Sequence, residues 1–240
     1  MVVTGAAGFV GSHLIDLLLD EGRTVEAWHR PGSDTGPPRD PPARVRWRAV
    51  DVLEAESVER ALSESRPAVI FHIAGAADVG SSWDHAYDTL VTNVRGTHTL
   101  CDAVRRAGIA PTVLIPGSAL VYGPSASALS EEAPLGPASP YAVSKLAQEQ
   151  LGARCAAEDG CAVVLPRAFN HIGPRQSPSF AAASFASRIA SIEAGRAEPT
   201  IQVGNLDAKR DFTDVRDTVR AYRALADRGV SGRVYNVCSG

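Results

Sequence analysis

Ser118, Tyr141 and Lys145 are the residues of this chain whose types and spacing could do chemistry together. Tyr141 and Lys145 stand four apart, so on a helix they share one face. A free tyrosine, with a pKa of about 10, is a poor acid or base at neutral pH. A neighbouring ammonium and an oxidised nicotinamide, both positive, would favour its phenolate and bring it toward a useful range. Lys145 can also hydrogen-bond a nicotinamide ribose. Ser118, at the end of an apolar strand, can hydrogen-bond a carbonyl and steady the charge that develops on it. A Tyr-x-x-x-Lys spacing alone is common by chance, and its meaning depends on what lies upstream.

Upstream is Thr4-Gly5-Ala6-Ala7-Gly8-Phe9-Val10-Gly11, between a strand-like start and an apolar helix. Glycines there permit a tight turn, let backbone amides approach a pyrophosphate and let helix pack on sheet. The turn sets Gly5, Ala7, Gly8, Phe9 and Val10 against a dinucleotide whose pyrophosphate lies at a helix N-terminus. The spacing is G-x-x-G-x-x-G, not the G-x-G-x-x-G of many dehydrogenases. Which dinucleotide depends on the end of the second strand, Ala27-Trp28-His29-Arg30, which offers no carboxylate for ribose hydroxyls. Arg30 reads as a 2′-phosphate ligand, which favours NADPH/NADP with NAD/NADH possible; a solvated loop arginine is the alternative. Asp51 and Val52 follow the third strand and could touch the adenine, although Asp51 could equally cap a helix.

An alternation of strands and helices must position these residues, and it argues for a parallel α/β sheet. Met1–Thr4, Thr24–His29, Val45–Val50, Ala68–Ala74, Thr112–Pro116 and Ala162–Leu165 read as strands. Val10–Glu21, Glu54–Ser65, Asp84–Ala107 and Ser139–Glu158 read as helices. Gly22 and Gly108 end the first and third of these, and Pro140 sits in the first turn of the fourth. Pro31–Pro42, with five prolines and two glycines, is a loop. From Pro166 the rhythm changes to loops, short strands and one alanine-rich helix near Ser179–Ala194. We therefore expect a Rossmann doubly wound parallel sheet over 1–165 and a small, partial substrate-binding lobe over 166–240. A strand near 233–237 could return to the sheet.

Bulk properties narrow the class. The chain has 240 residues, 45% of them hydrophobic and 21% charged, as in ordinary globular proteins. A formal net charge of −3 provides no basic footprint for nucleic acid or an anionic membrane. No apolar run approaches the roughly 20 residues that span a bilayer. Met1-Val2-Val3 enters the first strand at once, with no signal peptide, so the expected location is cytoplasmic. The four cysteines are scattered and read as reduced thiols, and the six histidines make no metal site. His171 alone lies beside the catalytic region, where it either orients substrate or packs. No Ser-His-Asp set appears with a nucleophile elbow.

Together these residues resemble the extended short-chain dehydrogenase/reductase family, the NAD-dependent epimerases and dehydratases, over essentially the whole chain. Phe71-His72-Ile73-Ala74-Gly75-Ala76 is similar to that family's fourth strand and the loop over its cofactor. The resemblance implies that Ala74, Gly75 and Ala76 lie along the dinucleotide. Asn93-Val94-Arg95-Gly96-Thr97 resembles its helix motif beneath the site, which places Asn93 with the cofactor residues. Ser139-Pro140-Tyr141-Ala142-Val143-Ser144-Lys145 matches its catalytic helix in full. Arg167 to Gln176 and Gly204 to Asp217 are most similar to the GDP-sugar branch, nearest its GDP-4-keto-6-deoxymannose reductases. The resemblance implies that Asn170 contacts the sugar-phosphate region and Arg210 the diphosphate, with an ion pair to Asp211 or Asp214 as Arg210's alternative. Arg175 is a further candidate for the substrate.

One departure separates the branch's two activities. Its dehydratases resemble one another in a glutamate that removes the sugar C5 proton, two residues before the tyrosine of a Tyr-Gly pair. Here Leu120 precedes Val121-Tyr122-Gly123, and leucine is no base. The expectation is therefore an NAD(P)H-dependent reductase of a nucleotide-linked 4-keto sugar, GDP-4-keto-6-deoxymannose going to a GDP-6-deoxy-hexose. Alternatives are a nucleotide-sugar epimerase with tightly held NAD and a non-catalytic dinucleotide-binding module. Relatives continue beyond Asn236-Val237-Cys238-Ser239-Gly240, which implies a shortened substrate lobe. They commonly dimerise through the helix that bears the tyrosine, which implies a homodimer.

Overall fold

Strands rich in β-branched residues pair in parallel where a crossover, in most cases here a helix, returns the chain to the same edge. The computed structural model describes residues 1–33, 36–158 and 160–240. Its strands are β1 (Val2–Thr4), β2 (Val25–His29), β3 (Val45–Ala49), β4 (Val69–His72) and β5 (Thr112–Leu114). They continue with β6 (Gly117–Ser118), β7 (Ala162–Ala168), β8 (Asn170–Ile172), β9 (Phe212–Asp214) and β10 (Val234–Val237). The main sheet runs β3-β2-β1-β4-β5-β7-β10, with β6 also on β7, and all its pairs are parallel. Strands β8 and β9 form a separate parallel pair. The expected Rossmann sheet is borne out, and its strand order reverses between β1 and β4. In such sheets ligands bind beyond the carboxyl ends at that reversal.

The helices are α1 (Phe9–Asp20), α2 (Ala55–Ser65), α3 (Ser81–Asp84), α4 (Ala86–Leu90), α5 (Gly96–Arg106), α6 (Pro140–Glu158), α7 (Ala181–Glu193) and α8 (Val215–Arg228). Strand alternation divides the core into two layers. Val2, Trp28, Ile70 and Val113 face Val58, Leu62, Leu100, Val104 and Cys155 of α2, α5 and α6. Their neighbours Val3, Ala27, Phe71 and Leu114 face Leu14 and Leu18 of α1 and Val219 and Tyr222 of α8. Segment 166–240 thus contributes α8 and β10 to the main layers, while β8, α7 and β9 lie off the main sheet.

Two expected elements differ. The single helix over 84–107 is broken: His85 leaves helical geometry at φ −123°, and α4 passes through a π-helical turn (Val91–Arg95) into α5. That wider turn delivers Asn93 to the loop after β4, where its amide is held. Strand β7 runs on to Ala168 instead of ending at Leu165, because Arg167 and Ala168 pair with β6 on one side and β10 on the other. Part of the proline-rich loop, Asp34 and Thr35, lies outside the described residues. Among the described residues no helix is long and apolar enough to cross a membrane.

Candidate active site

The glycine turn opens the site at the carboxyl end of β1. Gly5 has φ +62°, and a Cβ on it would come within 2.7 Å of the Ala74 amide nitrogen. A Cβ on Gly11 would come within 2.3 Å of the Gly5 carbonyl oxygen. Both positions therefore exclude any side chain while the turn holds this shape. Gly8 is exposed and begins α1, whose first turn holds no acidic residue and is capped by no side chain among the described residues. Its leading amides are left to an outside acceptor, which is what an anion at a helix N-terminus needs.

The loop after β4 passes beside this turn. Ala74 N donates to Thr4 Oγ1 at 3.0 Å. Asn93 Oδ1 accepts from Ala76 N at 2.8 Å, while its Nδ2 donates to Ala76 O at 3.0 Å and to Ser144 Oγ at 2.8 Å. Asn93 is fully buried with its amide committed, so it clamps loop 74–76 to the catalytic helix. Arg30 stands exposed at the end of β2 with no side-chain partner among the described residues. Asp51 does not cap α2, since Glu54 holds that position; Asp51 Oδ1 instead accepts from Leu53 N at 2.9 Å and closes a turn before the helix. Val52 is buried, packed where a Cβ on Gly96 would touch it.

Ser118 is brought to Tyr141 by β6 and α6. Strand β6 is held on the last residues of β7, and α6 begins at Pro140 with Ser139 Oγ accepting from Ala142 N. Ser118 is buried, its Oγ accepts from Leu120 N at 3.2 Å, and β6 packs against α6 so that the Ser118 hydroxyl lies close enough to the Tyr141 phenol to lower its pKa. Burial raises the Tyr141 pKa and outweighs the lowering by Ser118. The direction expected from the Tyr-Lys spacing is thus reversed. Lys145 Nζ donates to Gln148 Oε1 at 2.5 Å, and burial lowers the Lys145 pKa to about 8. A four-residue spacing puts two groups on one face without deciding where a flexible ammonium points.

The candidate substrate residues are dispersed. Asn170, at the start of β8, donates through Nδ2 to Asp211 O at 3.1 Å. His171 stacks on Phe9 of the glycine turn, ring centroids 6.0 Å apart, with Nδ1 3.0 Å from Phe169 O. Burial lowers its pKa. Arg175, at φ +70°, donates to Asp16 Oδ2 at 2.5 Å and to His13 Nδ1 at 2.9 Å, so α1 already engages it. Arg210 is exposed and, among the described residues, bonds only the Lys209 carbonyl; neither suggested ion pair forms, because Asp214 holds Arg216 and Asp211 holds Ser239.

Sequence reasoning passed over the ion pair that fixes this geometry. Arg167 and Glu149 are buried and joined by two hydrogen bonds, Nε to Oε2 at 2.8 Å and Nη2 to Oε1 at 2.7 Å. Arg167 also donates to Tyr122 OH, which donates to Asn236 Oδ1. The available signal was an arginine inside the apolar run 162–168 and a glutamate one turn beyond Lys145.

A parallel sheet with this glycine turn at its reversal and Ser118, Tyr141 and Lys145 at its carboxyl edge defines a Rossmann protein of the extended short-chain dehydrogenase/reductase class. The chain belongs to the NAD dependent epimerase/dehydratase family, whose model matches residues 1–238. It is 39% identical to the GDP-6-deoxy-D-mannose reductase of Pseudomonas aeruginosa, over all of this chain and 74% of that protein. It is 34% identical to the UDP-glucose 4-epimerase of Mycolicibacterium smegmatis, over all of this chain and 77% of that one. The structure of RMD from Pseudomonas aeruginosa complexed with NADPH matches with a TM-score of 0.86 at 35% identity, covering 100% of this chain and 79% of that one.

Proposed function

We propose that this chain is an NADPH-dependent reductase of a nucleotide-linked 4-keto sugar, with GDP-4-keto-6-deoxymannose reduced to a GDP-6-deoxy-hexose. The observation that carries the reading is Ser118 on β6 packed against α6, which bears Tyr141 and Lys145, with apolar Leu120 where an elimination would need a base. The residues fit a dinucleotide: a Cβ on Gly5 or Gly11 would strike the backbone that closes the turn, so the turn stays tight beneath exposed Gly8, and α1 begins without a side-chain cap. The first amides of α1 would hold the pyrophosphate, Arg30 the 2′-phosphate, and Lys145 the nicotinamide ribose. Bound there, the reduced nicotinamide supplies the hydride. Tyr141 donates its proton to the substrate carbonyl oxygen, and Ser118 hydrogen-bonds that same oxygen. A raised pKa keeps Tyr141 protonated at neutral pH, as a donor must be. Lys145 then steadies the phenolate that remains.

Segment 166–240 belongs to the same reading as the substrate side of the site, through Asn170, His171 and Arg210. So does a homodimer, supported by Trp83 of α3 and Tyr87 of α4, 63% and 77% exposed, on helices that pack against α6, where Val143 is also exposed. Light scattering at micromolar concentration should give twice the chain mass. A cytoplasmic location completes the reading, and cell fractionation checks it.

The deciding assay mixes protein, GDP-4-keto-6-deoxymannose and NADPH, with NADH in parallel, and follows loss of reduced-nicotinamide absorbance. Rapid oxidation of NADPH is expected. Arg30→Ser should weaken the NADPH preference by about 10–100-fold, the worth of a charge-assisted phosphate contact. Equal use of both dinucleotides by the unaltered protein would remove Arg30 from that role. No oxidation, with NADPH binding confirmed, would refute the substrate. Cofactor that co-purifies and never exchanges would instead favour an epimerase, in line with the 34% identity to one.

A further inference from the structure

Gln148 lies one turn beyond Lys145 on α6 and is fully buried, so its amide must find partners inside the protein. Its Nε2 donates to Thr97 Oγ1 at 2.8 Å, which turns Oε1 toward Lys145 Nζ at 2.5 Å. An ammonium is donor only, so the amide can face it in one sense alone. Thr97 has a single hydroxyl proton and gives it to Asn93 O at 2.7 Å. Its lone pairs therefore accept, from Gln148 and from His72 Nε2 at 3.2 Å. The proton of neutral His72 must then sit on Nε2, leaving Nδ1 to accept from Thr4 Oγ1 at 3.0 Å. Thr4 Oγ1 in turn accepts from Ala74 N. Each group in this buried run has one assigned role.

His72 stays neutral, its pKa pushed down to about 3 by burial and by the charge of Lys145. Gln148 and His72 both donate into Thr97, so the run cannot pass a proton from end to end. What it can do is fix positions. It ties Lys145 on α6 to Thr97 on α5, to His72 at the end of β4, and to Thr4 at the end of β1, where the glycine turn begins.

We propose that Gln148 is a positioning residue that holds Lys145, its amide locked in one orientation by Thr97, His72 and Thr4. The ammonium is thereby fixed relative to the strand ends that carry the dinucleotide turn, with two N–H bonds left for a ribose. Lys145's catalytic task rests on the reductase reading, whereas its attachment to Gln148 does not. Preorganised contacts of this kind spare a flexible side chain from being ordered during the reaction.

Lys145 and Lys209 are the chain's two lysines, so selective ¹³C-lysine labelling yields two signals, assigned with Lys209→Arg. Among the described residues, His72 from β4 is the titratable group whose charge couples to Lys145, Tyr141 stands one turn before it on α6, and Glu149 is committed to Arg167. In substrate-free protein, Gln148→Met should move the Lys145 titration to lower pH, because an acceptor for the ammonium is lost. Gln148→Glu should move it to higher pH, each by about one pH unit. Gln148→Met should also lower kcat by about tenfold, with the NADPH Kd within about twofold. An unchanged Lys145 titration in both variants would overturn the proposal; if Gln148→Met does not fold, Gln148→Glu decides alone. Titrations that move as stated in a protein inactive on the keto sugar would leave the positioning intact and refute the reductase.

Discussion

Phenylalanine in place of Tyr141 is expected to lower kcat by about 10²–10⁴-fold, the usual worth of a positioned general acid. NADPH should bind within about twofold of the unaltered affinity, because the cradle is built from β1, α1 and the loop after β4, not from this hydroxyl. The ring would keep its place in α6, with Tyr141 N still donating to Ser82 Oγ. What disappears is the proton that the Ser118–Tyr141 pair presents to a carbonyl. The pH profile gives a second check. A donor with a raised pKa is protonated below it, so activity should hold through neutral pH and decline as pH rises through that pKa. Undiminished turnover in Tyr141→Phe would remove the residue from the reaction.

Breaking the Arg167–Glu149 pair should have the largest effect on stability. Both side chains are almost entirely buried, at 5% and 4% exposure. Arg167→Met would strand the Glu149 carboxylate, and an uncompensated buried charge costs about 3–5 kcal/mol. In a protein of this size that corresponds to a fall in Tm on the order of 10 °C. The double variant Arg167→Met/Glu149→Met should recover part of the loss, because neither charge is then left alone. Thermal unfolding of the three proteins checks this, and an unchanged Tm in the single variant would refute it. Activity should fall with stability, since the pair joins α6, which carries Tyr141 and Lys145, to β7, which holds β6 and Ser118.

Much of the architecture was legible because its signals are short-range. Val2–Thr4, Val25–His29 and Val69–His72 are apolar runs bounded by turn residues, and they form β1, β2 and β4 within a residue or two of expectation. The break in the helix expected over 84–107 was not legible. Nothing between His85 and Gly96 forbids a regular helix; the π turn is stabilised by Asn93 reaching Ala76 and Ser144, partners 17 and 51 residues away. An arginine inside the apolar run 162–168 hints at burial, but its pairing with Glu149 and Tyr122 appears only once the sheet brings the three together.

The chain's residues alone established the class of chemistry. Gly5, Gly8 and Gly11 sit within one strand–turn–helix, and Tyr141 and Lys145 within one helical turn, so local geometry dictates what each group can offer. Folding decided where those offers meet. Tyr141 is harder to ionise, not easier, because desolvation sums over everything packed around it. Lys145 points to Gln148, Arg175 is claimed by Asp16 a distant 159 residues away, and Asn93 holds the loop after β4. Burial and hydrogen-bond competition are properties of the packed ensemble of side chains, and no spacing along the chain encodes them.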